Sequence, residues 1–167
     1  MTLNTDTIEG HLARVRKRLR DAEVRFDRTE GAVALLAVSK RQPAAALRAA
    51  AAAGQRLFGE SYLQEAEAKV EALADLPLEW HFIGPIQSNK TRSIATLFDW
   101  VHSVDRIKIA QRLDEQRPEG KPPLNVCLQV NVSGEPTKSG VTLEALPELA
   151  AAVREMPRLR LRGLMTI

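Results

Sequence analysis

The sequence predicts an α/β fold, a TIM-type (β/α) barrel that is incomplete, with about six of the eight strands and an extra N-terminal helix. Short apolar runs alternate strictly with helical patterns, and this alternation favours parallel strands joined by right-handed crossovers. No Gly-x-Gly-x-x-Gly follows the first apolar run, which argues against a dinucleotide-binding sheet. A complete barrel takes ~250 residues. We therefore expect one partial barrel domain over residues 1–167, with two open edges that allow association.

Periodicity and turn signals set the boundaries of the predicted elements. Residues 7–28 carry apolar side chains at spacings of three and four, which predicts the extra helix, with its basic face in solvent. The six predicted strands cover residues 33–39, 56–58, 79–83, 100–104, 124–132 and 160–167. The predicted helices between them cover residues 43–54, a stretch from 61 onward, 87–97, 105–116, and 142–156 with a later start near Pro147 left open. Ser61 and Asp105 are expected to cap their helices.

Charge and composition exclude several classes of protein. The net charge is +3, and the basic residues are spread along the chain rather than gathered in the single stripe expected of a nucleic-acid binder. This balance suits an anionic small ligand. No apolar run can span a bilayer, and residues 1–10 lack the apolar segment of a signal peptide. The single cysteine, Cys127, is expected to be a small buried hydrophobe in a reduced compartment, which favours a cytoplasmic protein.

Lys40 is the first candidate functional residue. It ends the apolar run Leu35–Ser39, and Pro43 follows closely, so it should lie at the carboxyl end of a buried strand, where α/β folds place their chemistry. A lysine in an apolar wall loses hydration, and its neutral amine can attack an aldehyde to form an imine. Most lysines after a strand are instead solvated rim residues. The position alone leaves both interpretations open.

The residues at the carboxyl ends of the six predicted strands are expected to converge with Lys40 on one mouth. They are Ser39, Gly59, Glu60, Ser61, His81, Ile83, Gly84, His102, Ser103, Asn131, Met165 and Thr166. Such a set could hold a polar aromatic cofactor. Ser61 could equally be only a helix cap, and the two histidines could be satisfied core residues. No residues show metal-ligand spacing or a nucleophile elbow, so we predict no metal site and no Ser-His-Asp centre. The loop around Lys138 is either an ordinary loop or an anion contact.

Five motifs in order along the chain resemble the pyridoxal phosphate homeostasis proteins, the YggS/PLPBP family. They lie at residues 36–40, 58–65, 80–90, 137–140 and 162–165, and they extend over essentially the whole sequence. The stretch His-Phe-Ile-Gly-Pro-x-Gln-Ser-Asn-Lys, at residues 81–90, is highly specific. Each of the other motifs is weak alone, but together they are a strong signal.

The resemblance implies a fold, a cofactor and a role. The fold is similar to the alanine racemase N-terminal domain, and the family's lysine, which maps onto Lys40, carries pyridoxal 5'-phosphate (PLP) as an internal aldimine. The implied role is intracellular vitamin B6 and amino-acid homeostasis, as a monomer without established turnover and with PLP-dependent apo-enzymes as possible partners. We expect the cofactor contacts to come from Lys40, Val38, Ser61, His81, Ile83, Ser103, Asn131 and Met165.

Two departures and two alternatives accompany this interpretation. The family usually has asparagine at the position of Ser61, and its members continue past Ile167 with a phosphate-binding loop and an arginine that faces the pyridine nitrogen. The resemblance therefore implies weak or absent cofactor in this chain. A PLP-dependent racemase needs two positioned acid/base groups, and Tyr62 is the only tyrosine. A Schiff-base aldolase barrel would use the same lysine without PLP.

Overall fold

The computed structural model describes residues 7–167 as one six-stranded parallel sheet with helices between the strands. The strands are β1 (Ala37–Val38), β2 (Leu57–Glu60), β3 (Glu79–Phe82), β4 (Trp100–Val104), β5 (Leu124–Gln129) and β6 (Leu159–Met165). The helices are α1 (Ile8–Arg25), α2 (Ala44–Ala52), α3 (Leu63–Ala72), α4 (Thr91–Leu97), α5 (Ile107–Gln116) and α6 (Leu146–Arg154). The strand order β1-β2-β3-β4-β5-β6 is the chain order, as in a barrel. The predictions of an α/β class and parallel strands are confirmed.

The hydrophobic core lies between the sheet and its helices. Alternate strand residues such as Phe58, Val101 and Val126 are almost fully buried and pack with helix residues such as Ile94 and Leu113. The other face, which we call the open face, carries one row of residues in register across the sheet. That row is Val38, Gly59, His81, Trp100, Asn125 and Arg160. The open face is therefore lined by polar and aromatic side chains, while the helix side holds most of the apolar core.

β1 is much shorter than the predicted strand over residues 33–39. Side chains, rather than a neighbouring strand, bind the backbone before Ala37. The Gln55 amide donates to the Leu35 carbonyl at 2.7 Å, and the Val33 amide donates to Glu23 Oε1 at 2.8 Å. Because these backbone groups are already satisfied, they need no ladder partner. The apolar run identified a strand correctly but not its length.

The predicted helix caps at Ser61 and Asp105 are wrong. α3 begins at Leu63 with Tyr62 in the cap position, and α5 begins after Arg106. The Asp105 carboxylate instead accepts from Arg106 at 2.7 Å. In α1 the cap is Thr7, whose hydroxyl accepts from the Gly10 amide at 3.1 Å. None of the helices described in residues 7–167 is both long and apolar enough to cross a membrane.

The remaining boundaries differ from the predictions by a few residues. Residues 88–90 form a 3₁₀ turn before α4, and α6 starts at Leu146, close to Pro147 as expected. β5 stops at Gln129 rather than at residue 132, because Val130 and Val141 form a separate bridge there. Cys127, expected to be buried, is half-buried on β5, and burial raises the pKa of its thiol.

Candidate functional site

Lys40 lies just beyond the carboxyl end of β1 and is exposed to solvent. Its expected poor hydration is therefore wrong in this structure, because β1 has only β2 as a neighbour in the described sheet. Ser39 turns its hydroxyl to Glu60 on the helix side, at 2.6 Å. Lys40 begins the turn that follows, two residues beyond Val38. Lys40 thus lies at the end of a strand, as predicted, but its side chain is more exposed to solvent than expected.

Helix α3 binds the backbone on both sides of Lys40. The carbonyl of Ser39, in the peptide before Lys40, accepts from Lys69 Nζ at 2.7 Å. The amide of Arg41, in the peptide after Lys40, donates to Glu65 Oε1. Arg41 itself has φ of +62°, in the left-handed region that non-glycine residues rarely adopt. The peptide groups before and after Lys40 are therefore both hydrogen-bonded to side chains of α3.

The groups that hold these peptides form one ion cluster, Glu60–Lys69–Glu65. Lys69 Nζ lies 2.8 Å from Glu60 Oε1 and 2.6 Å from Glu65 Oε1. Glu60 is fully buried, Lys69 is 5% exposed, and Glu60 Oε2 has no hydrogen-bond partner among residues 7–167. The hydrogen bond from Lys69 lowers the pKa of Glu65, and the Arg41 amide adds to this effect. The cluster carries two carboxylates on one ammonium and lies directly behind Lys40.

Two histidines meet on the open face. His81 Nδ1 lies 2.9 Å from His102 Nε2, and His81 Nε2 lies 2.9 Å from Glu79 Oε1. Burial lowers the pKa of each imidazole to about 4. At neutral pH, His102 Nε2–H donates to His81 Nδ1, and His81 Nε2–H donates to the Glu79 carboxylate, which satisfies both contacts. The His81 ring stacks on Trp100 with centroids 5.4 Å apart.

Gly59 lies beside Val38 in the row of residues on the open face. Val38 is in register with Gly59 and is 53% exposed. A Cβ on Gly59 would lie 3.1 Å from Ile83 Cδ1 and 3.4 Å from Leu36 Cδ2. A side chain there would therefore crowd Ile83. The Ile83 and Leu36 side chains therefore cover the Gly59 backbone, which is buried, and Val38 is the exposed apolar side chain beside it.

Ser61 and Ser103 are tied to the turn after β3. Gly84 packs so closely on Ser61 that an added Cβ would lie 2.8 Å from Ser61 Cα, and closer still to its carbonyl oxygen. The Ser103 hydroxyl donates to the Gly84 carbonyl at 2.5 Å and is buried. These contacts bring together the ends of β2, β3 and β4. Ser103 thus has a structural partner, while Ser61 is half-buried at the mouth.

Asn131 organises the loop after β5. Its amide donates to the carbonyls of Glu135 and Lys138, and its Oδ1 accepts from the Gly134 amide at 3.0 Å. Lys138 pairs with Glu135 at 3.1 Å. Met165 is half-buried at the end of β6, where its carbonyl accepts from the Val130 amide. The polar atoms of the Asn131 side chain thus bond to the backbone of the loop that follows β5. Met165 ends β6 at the carboxyl edge of the sheet, beside this loop.

The ion cluster behind Lys40 escaped the sequence analysis. Glu65 and Lys69 are spaced i,i+4, a pattern that usually indicates only a weak pair on a helix surface. Glu60 follows the apolar pair Leu57-Phe58 after one glycine, so its burial at the end of β2 was only weakly indicated by the sequence. Within residues 7–167 no group of three His, Cys, Asp or Glu side chains could hold a metal ion.

Comparison with known proteins identifies the family. The family described as alanine racemase, N-terminal domain, matches residues 10–167, so the fold belongs to that class of barrel. The pyridoxal phosphate homeostasis protein of Pseudomonas aeruginosa is 66% identical over 161 residues, which cover 96% of this chain and 70% of that protein. The Escherichia coli protein of the same name is 54% identical over 163 residues, with the same coverages. The chain belongs to the pyridoxal phosphate homeostasis protein family.

Solved structures agree with this assignment. PipY from Synechococcus elongatus PCC7942, solved with PLP bound, has a TM-score of 0.76 at 43% identity, over 92% of this chain and 70% of that one. Alanine racemase from Corynebacterium glutamicum has a TM-score of 0.65 at 20% identity, over 95% of this chain and 43% of that one. The second likeness is one of fold alone. The predicted barrel class and the predicted family are confirmed.

Proposed function

We propose that this chain binds PLP through Lys40 and serves intracellular vitamin B6 and amino-acid homeostasis. One observation carries the proposal: the exposed Lys40 directly follows the carboxyl end of β1, between two peptides that α3 holds. Its relatives are pyridoxal phosphate homeostasis proteins, and PipY was solved with PLP bound. The half-buried single cysteine is compatible with a reduced, cytoplasmic setting.

The residues at the mouth fit the chemistry of PLP. When bound, PLP supplies an aldehyde, with which a lysine amine condenses as water is released. The exposed amine of Lys40 is the matching nucleophile, and the exposed apolar side chain of Val38 lies two residues before it. We assign His81, Ser61 and Met165 to the polar and half-buried rim of the same site.

Ser103 and Asn131 take supporting positions in this proposal. The Ser103 hydroxyl fixes the turn at Gly84, and Asn131 fixes the loop that carries Lys138. Both residues lie at strand ends of the same edge, so they shape the mouth through the backbone. The roles that we give them are therefore indirect.

The proposed protein is a carrier or regulator rather than a catalyst. A racemase needs two positioned acid/base groups. The two histidines of the open face bond to each other and to Glu79, and Tyr62 is exposed at the start of α3. The proposed partners are PLP-dependent apo-enzymes that receive the cofactor.

The test is a PLP titration followed by borohydride reduction and peptide mass analysis. We expect an absorbance band at roughly 420 nm and a reduced adduct on Lys40. Lys40→Ala should lose both, while Lys108→Ala, at an exposed position on α5, should keep both. An adduct spread over many lysines, or one that persists in Lys40→Ala, would overturn the assignment. Racemisation of amino acids by the loaded protein would overturn the non-catalytic role.

A further inference from the structure

The Glu60–Lys69–Glu65 cluster is unusual for its burial. Three ionisable side chains share one site, with Lys69 5% exposed and Glu60 fully buried. Buried ion pairs add little net stability, because the loss of hydration offsets the attraction between the charges. The presence of such a cluster is better explained by the backbone groups that it holds in place. Within the described residues, the hydrogen bonds that these three side chains make outside the cluster go to Ser39 and Arg41, the two residues that flank Lys40.

We propose that this cluster is the positioning device for Lys40: Lys69 and Glu65 fix the peptides before and after it, and so set the place from which its amine meets an aldehyde. The inference rests on the proposed function, since it concerns the same lysine. It assigns no contact with the cofactor to Glu65 or Lys69, both of which lie on α3 on the helix side of the sheet.

The geometry around Arg41 supports the positioning role. Its left-handed backbone is sparsely populated for a non-glycine residue and persists only where the surroundings enforce it. The Glu65 carboxylate accepts the Arg41 amide, and the Gln42 amide donates to the same Ser39 carbonyl that Lys69 holds. The turn after β1 is therefore tightly constrained, although the Lys40 side chain is exposed. A rigid backbone beneath a long side chain narrows the region that its amine explores.

The reaction to be measured is the condensation of Lys40 Nζ with an aldehyde. The nitrogen lone pair bonds to the aldehyde carbon, the amine loses its protons, and the aldehyde oxygen leaves as water. Borohydride then reduces the C=N bond, so that the adduct is stable for peptide mass analysis. Free pyridoxal 5'-phosphate is the probe, and the rate of adduct formation at Lys40 is compared with the rate at Lys108 in the same sample.

Glu65 is the position to change, because its side chain is 27% exposed and its loss leaves Lys69 paired with Glu60. Glu65→Ala removes the acceptor of the Arg41 amide, and we expect adduct formation at Lys40 to slow on the order of tenfold. Glu65→Gln keeps a carbonyl oxygen at that place and should restore the rate to within about threefold of the original. Glu67→Ala, at an exposed position of the same helix, is the matched control and should leave the rate unchanged.

Hydrogen exchange at the Arg41 amide is the second readout and requires no cofactor. We expect faster exchange in Glu65→Ala and near-normal exchange in Glu65→Gln, with circular dichroism unchanged in both. If Glu65→Ala labels Lys40 at the original rate, the positioning role is overturned while the proposed function stands. Equal slowing by Ala and Gln would implicate charge rather than geometry and would also overturn it. An original chain that forms no adduct at Lys40 would overturn both proposals.

Discussion

Lys69 Nζ lies 2.7 Å from the carbonyl oxygen of Ser39, so an ammonium on α3 holds the peptide that leads into Lys40. The same nitrogen bonds Glu60 and Glu65, and all its hydrogen-bonding capacity is thereby used. The exposed Lys40 and the buried Lys69 thus meet at one turn, since Lys69 bonds to the peptide that leads into Lys40. The Lys40 side chain is exposed to solvent, whereas the Lys69 side chain is not.

Removal of the buried ammonium should destabilise the fold. Lys69→Met leaves two carboxylates facing each other, one of them fully buried, and we expect a loss of about 3 kcal/mol in the free energy of unfolding. The double variant Glu60→Gln/Lys69→Met removes the buried charges together and should recover most of that loss. Urea unfolding of the two variants measures both values. A single variant as stable as the original chain would contradict the assigned burial of charge.

The stability of the fold should fall as pH is lowered from 6.5 towards 4. The pKa of His81 and of His102 is about 4 in the folded chain against 6.5 ordinarily, so the unfolded chain binds more protons in this range. The stabilisation is complete above pH 6.5 and decreases through the lower pKa. The expected decrease is on the order of 2 kcal/mol for the pair, after allowance for solvent screening.

Urea midpoints measured between pH 6.5 and 5 test this, because most glutamate and aspartate side chains stay ionised there. The double variant His81→Gln/His102→Gln should lose the pH dependence in this window. His11→Gln, at an exposed position on α1, should retain it. If the urea midpoint of the double variant still changes with pH in this window, the protons are taken up by groups other than these two histidines.

A methyl group at Gly84 should disrupt the contact between the turns after β2 and β3. The added Cβ would overlap the backbone of Ser61, which cannot move like a flexible side chain, and we expect Gly84→Ala to cost about 2–3 kcal/mol. Gly120→Ala is the control, because that glycine has open space around it and only its φ of +83° opposes the change, at about 1 kcal/mol. Equal thermal midpoints for the two variants would contradict the close approach at Ser61.

Periodicity was sufficient to predict the order and direction of the elements. The apolar stretches around Phe58, Val101 and Val126 identified β2, β4 and β5, and the parallel sheet followed from the alternation of strands with helices. The start of β1 could not be predicted, because the side chains of Gln55 and Glu23 bind the backbone before Ala37 in place of a neighbouring strand. Ser61 has the residue type of a cap, but the close packing of Gly84 against it decides its conformation.

The sequence predicted where Lys40 lies in the fold, but it did not predict how exposed the side chain is. Lys40 follows the first strand as expected, but its hydration depends on what packs beside β1, which a local sequence pattern does not contain. The cluster of Glu60 and Lys69 arises only when α3 packs onto the end of β2. Long-range packing of charged residues has no period in the sequence, and so it was missed.

The strand order has a consequence for biosynthesis. Every strand after the first pairs with the one made just before it, so the sheet can lengthen in step with translation. Each parallel pairing still has to wait for the crossover helix between its two strands, so a freshly made apolar strand stays unpaired until the next strand is complete.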